Sequence, residues 1–466
     1  MSALLVLAVS AVSLWLAIDP PDKAKDIERR FNVTPSQRIE IAGFSGSQIN
    51  FTSWDSNTVY VKLKVRIESS DREYEKRWIE SVQLTESATS SSFVLTLEEP
   101  EKNWSSSGGF WRKLFGSSYV RKEISGEILV PRSNALRANM PYATVSLDGM
   151  KGELEFKGQS NTLTLRNCSS LKDIDNNYGK TTIEASGGNM RLNSQSGTLT
   201  IADFEGTVQA QINYTNATLS RVSKAVTLNS QSAKLQFEDI RGDLTVHANY
   251  STITVANVAG FADIQTQSGT VRVKQAKGVH VDAKYSTIEI SDISGEAKKD
   301  IIVRGQSGKV SMENVIGNVK IDDPYSTVNL RKVRGNVELS TQSGRVTGEE
   351  ISGNWSSETK YSSVTLRGLS AQTVVMTNSS NPIDVELKTV PTKVDIKNEY
   401  AGVKVTIPPG YSGDVTLEAT YGNVESDFPI RVKSLGNGAY GVGKVGSGSG
   451  SILIETKSGN IRLIQR

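Results

Sequence analysis

The stretch YSTITVANVAGFADIQTQSGTVRV, residues 250–273, contains the repeat that decides the fold. Its apolar residues Ile253 and Val271 are 18 positions apart, and each is followed two positions later by a second apolar residue. The column continues in both directions, with one short and one long interval near Ile288. A repeat this regular predicts a solenoid of stacked coils. The column contains Val145, Leu163, Thr181, Leu199, Ala217, Leu235, Ile253, Val271, Ile288, Val310, Val328, Val346 and Val364.

Four further apolar columns follow at fixed offsets from the first. One begins at Leu147, two residues on, and another passes through Cys168, five residues on. The last two lie nine and eleven residues on, as at Leu244 and Val246. Because side chains of a strand alternate with a period of two, each pair predicts one short strand with an inward apolar face. The column of Cys168 marks a corner or a third side, and Cys168 itself is expected to be a buried, unreactive core residue.

The coil length sets the dimensions of the predicted rod. Eighteen residues at about 3.3 Å each give a perimeter near 60 Å, which one layer of inward side chains can fill. Glycines just ahead of the second strand, such as Gly188 and Gly206, predict a tight turn there. Thirteen coils from Val145 to Val364 would form a rod of roughly 60 Å. The sequence therefore predicts an all-β protein, a single-stranded parallel β-helix, which we expect to be right-handed.

The chain divides into four predicted segments. Residues 1–18 are apolar and predict a signal peptide or an uncleaved N-terminal anchor, hence an exported protein that is periplasmic, on the cell surface or extracellular. Residues 19–37 are a predicted linker, and residues 38–140 a β-rich N-terminal cap with one short helix. The β-solenoid is expected over 141–466.

Local patterns within the predicted cap support this division. Ser70-Asp71-Arg72-Glu73 resembles a capping box that opens a helix running to about Ser81. Alternating apolar residues predict the strands Ile39–Ile41, Val59–Val65, Phe93–Leu97 and Ile124–Val130.

Composition excludes several classes of site. The 53 basic and 50 acidic residues are interleaved, so there is no basic stripe for nucleic acid. A single cysteine excludes an intrachain disulfide and a thiolate metal cluster. Two histidines, His247 and His280, exclude a multi-histidine metal site, and both are expected to face outward at different offsets. We therefore expect no metal and no cofactor.

One predicted outward column carries carboxylates, as a strand face of a β-helix lyase or hydrolase does. Asp282 and Asp322 would lie about 10 Å apart, with Arg304 between them, which favours a surface salt-bridge ladder over an acid pair. The sequence therefore predicts no catalytic residues. The column is His247, Gln265, Asp282, Arg304, Asp322, Ser340 and Glu358.

Aromatic residues form the candidate binding surface. Tyr250, Tyr285, Tyr325 and Tyr361 share one column with Ser268, Ser307 and Ser343, so large and small residues alternate along the rod. The first interpretation is packing, in which each ring lies over a small neighbour; the alternative is an aromatic stripe for stacking on sugars. Phe110 and Trp111 belong to an aromatic and basic insertion, which either packs on the cap and first coils or contacts a membrane or partner.

These motifs resemble a bacterial family named "putative adhesin", a group of unknown function. The resemblance covers nearly everything after residue 38. It is carried by Ile39-Glu40-Ile41 with Gly43, by Ile128-Leu129-Val130-Pro131, by the repeated Ser-Gly turns, and by the closing Ile452-Leu453-Ile454-Glu455-Thr456-Lys457-Ser458-Gly459-Asn460-Ile461. The resemblance implies an exported β-solenoid associated with the cell envelope, and it supplies no catalytic residues.

The sequence is consistent with three functions. The leading hypothesis is a non-enzymatic envelope or secreted protein that acts as an adhesin-like or scaffold surface, with a surface glycan or an envelope protein as partner. The second is an envelope-sensing or regulatory module that binds a protein through the cap or the Phe110–Phe115 insertion. The third is a polysaccharide lyase or hydrolase on a β-helix. Membrane contact is expected only through an uncleaved N-terminal segment.

Overall fold

The computed structural model describes residues 23–100, 119–294 and 300–466. Its strands stack in parallel at the predicted interval: Val145 pairs with Leu163, Leu163 with Thr181, and Thr181 with Leu199. These side chains are all buried. The prediction of a parallel β-solenoid with 18 residues per coil is therefore confirmed. The predicted N-terminal signal peptide or anchor, residues 1–18, lies outside the described residues.

The central coils consist of strands that pass continuously from one side of the rod to the next. Adjacent coils are joined by parallel ladders on both strand faces. The strands are β8 (Leu136–Asn139), β9 (Thr144–Asp148), β10 (Leu154–Gln159), β11 (Thr162–Arg166), β12 (Leu171–Asn177), β13 (Lys180–Gln195), β14 (Thr198–Asn213), β15 (Asn216–Val222), β16 (Val226–Gln231), β17 (Lys234–Ile240), β18 (Leu244–Asn249), β19 (Ser251–Ser294), β20 (Ile301–Ile316), β21 (Val319–Asp322), β22 (Tyr325–Arg334), β23 (Val337–Glu349) and β24 (Trp355–Leu369).

Corners in the left-handed backbone region separate the sides of a coil. In one coil they lie at Asn167, with φ 53°, and at Tyr178, with φ 58°. Cys168 follows the first corner and is fully buried, which confirms the third side predicted from its column. The left-handed region disfavours most L-residues, so these corners are turns imposed by the stacking of coils on each other.

The N-terminal end is built out of chain order. Strand β2 (Arg38–Ala42) lies between β6 (Ser92–Glu98) and β8, and β3 (Ser47–Trp54) lies between β7 (Val120–Pro131) and β9, all in parallel. The first coil in the chain is thus second in the stack. Antiparallel strands cover the outer coil: β1 (Ala24–Asn32) on β4 (Thr58–Ser69), β4 on β7, and β5 (Gln83–Ala88) on β6.

Two predicted boundaries at this end are wrong. The linker expected over 19–37 contains strand β1, because Ile27 is buried opposite Leu63 of β4. The solenoid does not start at residue 141, because β2 and β3 already stand in register with its coils. The four strands expected in the cap are present as β2, β4, β6 and β7.

The predicted helix is present as α1 (Arg72–Ser81). Its N-cap is Asp71 and not the Ser70 that a capping box would use. The Asp71 carboxylate accepts hydrogen bonds from the backbone N–H groups of Glu73 and Tyr74, at 3.0 and 3.1 Å. An aspartate at this position also favours the positive end of the helix dipole. Across the described residues, no helix has the length and apolar character that a membrane crossing requires.

The C-terminal end is also built out of chain order. Strands β33 (Gly450–Ser458) and β34 (Ile461–Gln465) lie in parallel between two coils. One coil consists of β27 (Lys393–Asn398) and β28 (Val403–Ile407), and the other of β29 (Gly413–Tyr421) and β30 (Val424–Ser426). The antiparallel strands β32 (Gly438–Val445) and β31 (Arg431–Leu435) cover the outermost coil. The remaining strands are β25 (Thr373–Asn378) and β26 (Ile383–Leu387).

Candidate functional site

The tyrosines predicted from the repeat lie in one exposed column along a corner of the rod. Tyr285 pairs with Ser307, Ser307 with Tyr325, and Ser343 with Tyr361. The alternation of large and small residues is therefore real. More than half of each predicted ring surface is exposed, from 51% at Tyr285 to 61% at Tyr361. The packing interpretation requires each ring to be buried over its small neighbour, and these rings are not.

The tyrosine column is longer than the sequence argument recognised. Further exposed tyrosines occur at 36-residue steps before Tyr250, and two follow Tyr361. The same 36-residue spacing, two coils, was available in the sequence and would have identified the upstream members. We define the tyrosine column as Tyr142, Tyr178, Tyr214, Tyr250, Tyr285, Tyr325, Tyr361, Tyr400 and Tyr421.

For the first four rings of the column, the backbone fixes where each one points. From Tyr142 to Tyr250 the tyrosines have φ between 52° and 58°, and the N–H of Tyr178 donates to the carbonyl of Gln195 in the next coil at 2.6 Å. The phenol is also held from the next coil: Gln159 Nε2 donates to Tyr142 Oη at 2.7 Å, and Tyr325 Oη donates to Gln342 Oε1 at 3.0 Å. The column is thus a row of oriented, half-exposed rings.

Phe110 and Trp111, the other predicted binding residues, lie outside the described residues, as does the whole Phe110–Phe115 insertion.

The carboxylate column has the predicted register. Asp282 pairs with Arg304, and Arg304 pairs with Asp322. The Arg304 guanidinium lies 3.2 Å from His280 Nε2, and His280 Nδ1 lies 3.1 Å from Asp263 Oδ1. These groups form a polar cluster between neighbouring coils. His247 belongs to the carboxylate column, paired with Gln265, whereas His280 lies in the neighbouring column that contains Asp263.

Cys168 has the environment expected of a core residue. Its side chain is fully buried, and its thiol donates to the carbonyl of Arg166 at 3.1 Å. Burial raises the pKa of this thiol to about 11, so the nucleophilic thiolate is scarce at neutral pH. Among the residues that the structure describes, no three His, Cys, Asp or Glu side chains gather as they would around a metal ion.

One buried acid was not identified from the sequence. Asp323 is 2% exposed and its Oδ1 has no hydrogen-bond partner. Its carboxyl fills the space beside Gly305 of the preceding coil. Burial raises the pKa of Asp323, and the charge of Asp322 adds to the rise. The period of two after Ile321 could have placed this carboxyl inside.

We expect Asp323→Asn to unfold at a higher temperature than the wild type at pH 7. A raised pKa means that the folded state prefers the neutral acid, so stability is lost as the pH rises from the ordinary aspartate pKa to the folded pKa, and the full cost persists above it. Asparagine removes that cost. Below the ordinary aspartate pKa of about 3.9 both states are protonated and the difference should vanish. Thermal unfolding followed by circular dichroism at pH 7 and pH 3 measures it.

Asp322→Asn, at the exposed neighbouring position, is the matched control and should give the smaller change. An Asp323→Asn protein no more stable than wild type at pH 7 would show that the charged Asp323 carboxylate does not destabilise the folded protein.

Comparisons with known proteins agree with the sequence-based resemblance. A family model described as Toastrack DUF4097 matches residues 56–464. A solved structure described as a "putative cell adhesion protein" from Clostridium sporogenes shares 10% identity, with 95% of this chain and 100% of that chain covered, at a TM-score of 0.15. Among curated proteins, none matches this chain.

Proposed function

Because the chain belongs to the Toastrack DUF4097 family, we propose that it is a non-enzymatic binding surface, an adhesin-like or scaffold protein of the cell envelope or the secreted fraction. Its apolar N-terminal residues 1–18 support export to the periplasm, the cell surface or the exterior. The observation that carries the proposal is the tyrosine column.

The fold does not need these rings. Ser196 has φ 55°, against 58° for Tyr178, and both donate their backbone N–H to the next coil. Serine therefore adopts the corner conformation and makes the corner hydrogen bond as well as tyrosine does. A large ring that recurs every second coil and stays more than half exposed is best explained by contact with something outside the chain.

The column also suits binding energetically. Tyrosine offers a large contact area with only two rotatable bonds, so little side-chain entropy is lost on binding. Here the backbone ladder fixes the corners, and glutamine side chains hold several phenols. A row of rings that is already ordered before contact loses less free energy on association.

Sedimentation with cell envelopes tests the proposal. The purified protein is mixed with envelopes of the producing organism and compared with a triple variant, Tyr178→Ser, Tyr214→Ser and Tyr250→Ser. We expect the variant to lose at least four-fifths of the sedimenting fraction, because three adjacent rings are gone while the corners keep a residue they accept.

The matched control is Lys320→Ala with Glu338→Ala, which removes an exposed ion pair of 2.6 Å from another column and should sediment like wild type. Equal sedimentation of the wild type and the tyrosine variant, or no sedimentation of either, would overturn the proposal.

A further inference from the structure

A surface with few charges flanks the first four rings of the tyrosine column. In seven successive coils, the residue before each corner tyrosine or serine is an amide. Backbone pairing aligns these amides, as in Gln195 with Asn213 and Asn213 with Gln231. We call this row the amide column: Gln159, Asn177, Gln195, Asn213, Gln231, Asn249 and Gln267.

A second neutral row lies on the strand that follows the corner. Thr164 pairs with Thr182, Thr182 with Thr200, and Thr200 with Thr218, all in parallel. We call it the hydroxyl column: Ser146, Thr164, Thr182, Thr200, Thr218, Gln236 and Thr254. Lys180 and Lys234 stand in the row between this column and the corner. The three columns from residue 142 to residue 268 form the neutral face.

The neutral face contrasts with the rest of the rod surface. Elsewhere, neighbouring coils are joined by exposed ion pairs such as Arg191 with Asp173 at 2.8 Å and Arg221 with Asp203 at 2.5 Å. On the neutral face the three columns carry amides, hydroxyls and rings, which donate and accept hydrogen bonds without a net charge. A ligand that matches it is uncharged, rich in hydroxyl groups and partly apolar.

The spacing of the rings along the rod also indicates the repeat length of the ligand. Tyr142, Tyr178, Tyr214 and Tyr250 recur every second coil, which is about 9.6 Å at 4.8 Å per coil. In an extended β-1,4-linked polysaccharide each sugar is turned over relative to the last. The same sugar face therefore recurs every second residue, at a similar length.

On these grounds, and resting on the proposed function, we propose that the neutral face binds an extended, uncharged β-1,4-linked polysaccharide that lies along the rod axis. The tyrosine rings stack on the apolar faces of alternate sugars, and the amide and hydroxyl columns hydrogen-bond to the sugar hydroxyls on either side.

Two other extended polymers fit the face less well. A nucleic acid gains its affinity from cations placed against phosphates; the three columns carry none, and Lys180 and Lys234, which stand between them, are too few to follow a phosphate backbone. An extended peptide binds a sheet by pairing with a free strand edge. The strands here are already paired on both sides; β14, for example, lies between β13 and β15.

Isothermal titration calorimetry with cellobiose, cellotetraose and cellohexaose tests the ligand class. We expect the affinity to rise at least tenfold from the shortest to the longest, because the longest spans three rings. The double variant Tyr178→Ser with Tyr214→Ser should bind cellohexaose at least tenfold more weakly. Dextran, which is neutral but flexible and α-linked, and polygalacturonate, which is charged, should bind at least tenfold more weakly than cellohexaose.

The matched control is Tyr325→Ser with Tyr361→Ser. These rings belong to the same column, but Pro324 precedes Tyr325 and Lys360 precedes Tyr361, whereas Tyr178 and Tyr214 follow the amides Asn177 and Asn213. This variant should change cellohexaose affinity less than twofold. No binding of cellohexaose, binding independent of chain length, or equal losses in both variants would overturn the inference. Tyrosine-dependent sedimentation with envelopes, but no cellohexaose binding, would contradict the ligand class alone; loss of both would contradict the proposed function as well.

Discussion

Deletion of residues 450–466 should release the whole C-terminal end of the rod, not only the deleted strands. Strands β33 and β34 are the partners of β29 and β30 on one side and of β27 and β28 on the other. Four fully buried aliphatic residues leave with them, Ile452, Ile454, Ile461 and Leu463. Their burial is worth roughly 6–12 kcal/mol, which is comparable to the stability of a whole domain.

Hydrogen exchange measured by mass spectrometry locates the effect. Amides of residues 413–445 should exchange at least a hundredfold faster than in the wild type, while those of residues 154–369 should keep their rates, because each coil contacts only its neighbours. The control is Lys457→Ala in β33, which removes an exposed ion pair with Glu399 at 2.7 Å. It should leave all exchange rates unchanged. Continued protection of residues 413–445 in the deletion would show that β29 and β30 are held without β33.

Each end of the rod contains a coil that is inserted out of chain order, and this arrangement protects the rod against pairing with other chains. The last strand of an open stack presents unpaired N–H and C=O groups to any other chain. Here the outermost coils carry antiparallel strands, β4 and β5 at one end and β32 at the other. The inserted coils, β2 with β3 and β33 with β34, tie each cover to the stack through a segment distant in sequence.

The central coils could be predicted from the sequence because each inward position requires an apolar side chain. Val145 and Leu163 occupy equivalent places in successive coils, so one physical requirement repeats every 18 residues. The ends were predicted poorly because insertion of a coil leaves no period behind. Strand β33 alternates in the same way whether it lies last or second to last. The strand covering at β1 was missed since only Ile27 of its nine residues is buried.

The candidate site was predicted in part. The repeat placed Tyr250 and its three successors in one column, but periodicity cannot tell an exposed corner ring from a packed one. The difference is visible only in the structure, where more than half of each of these four rings is exposed. The amide column passed unnoticed because Asn and Gln are common in turns of such repeats, and only stacking in register shows that the amides of successive coils form a single row.

Replacing Gly206 by alanine should be among the most damaging single changes to the rod. Gly206 has φ 147°, and an added Cβ would overlap the carbonyl oxygen of Gly188 in the preceding coil. Relief requires the two coils to separate, which weakens the parallel ladder between β13 and β14. We expect a loss on the order of 3 kcal/mol in the free energy of unfolding, measured by urea denaturation.

Gly436→Ala separates the two causes of that loss. Gly436 also has a positive φ, 60°, but nothing lies within 4 Å of an added Cβ. This control therefore reports backbone strain alone, about 1 kcal/mol. If the two variants lost the same amount, the separation of β13 from β14 would not be set by close contact at Gly206. A larger loss at Gly206 would mean that the tight stacking of glycines fixes the coil spacing there, and with it the spacing of the tyrosine rings that the proposed polysaccharide contacts.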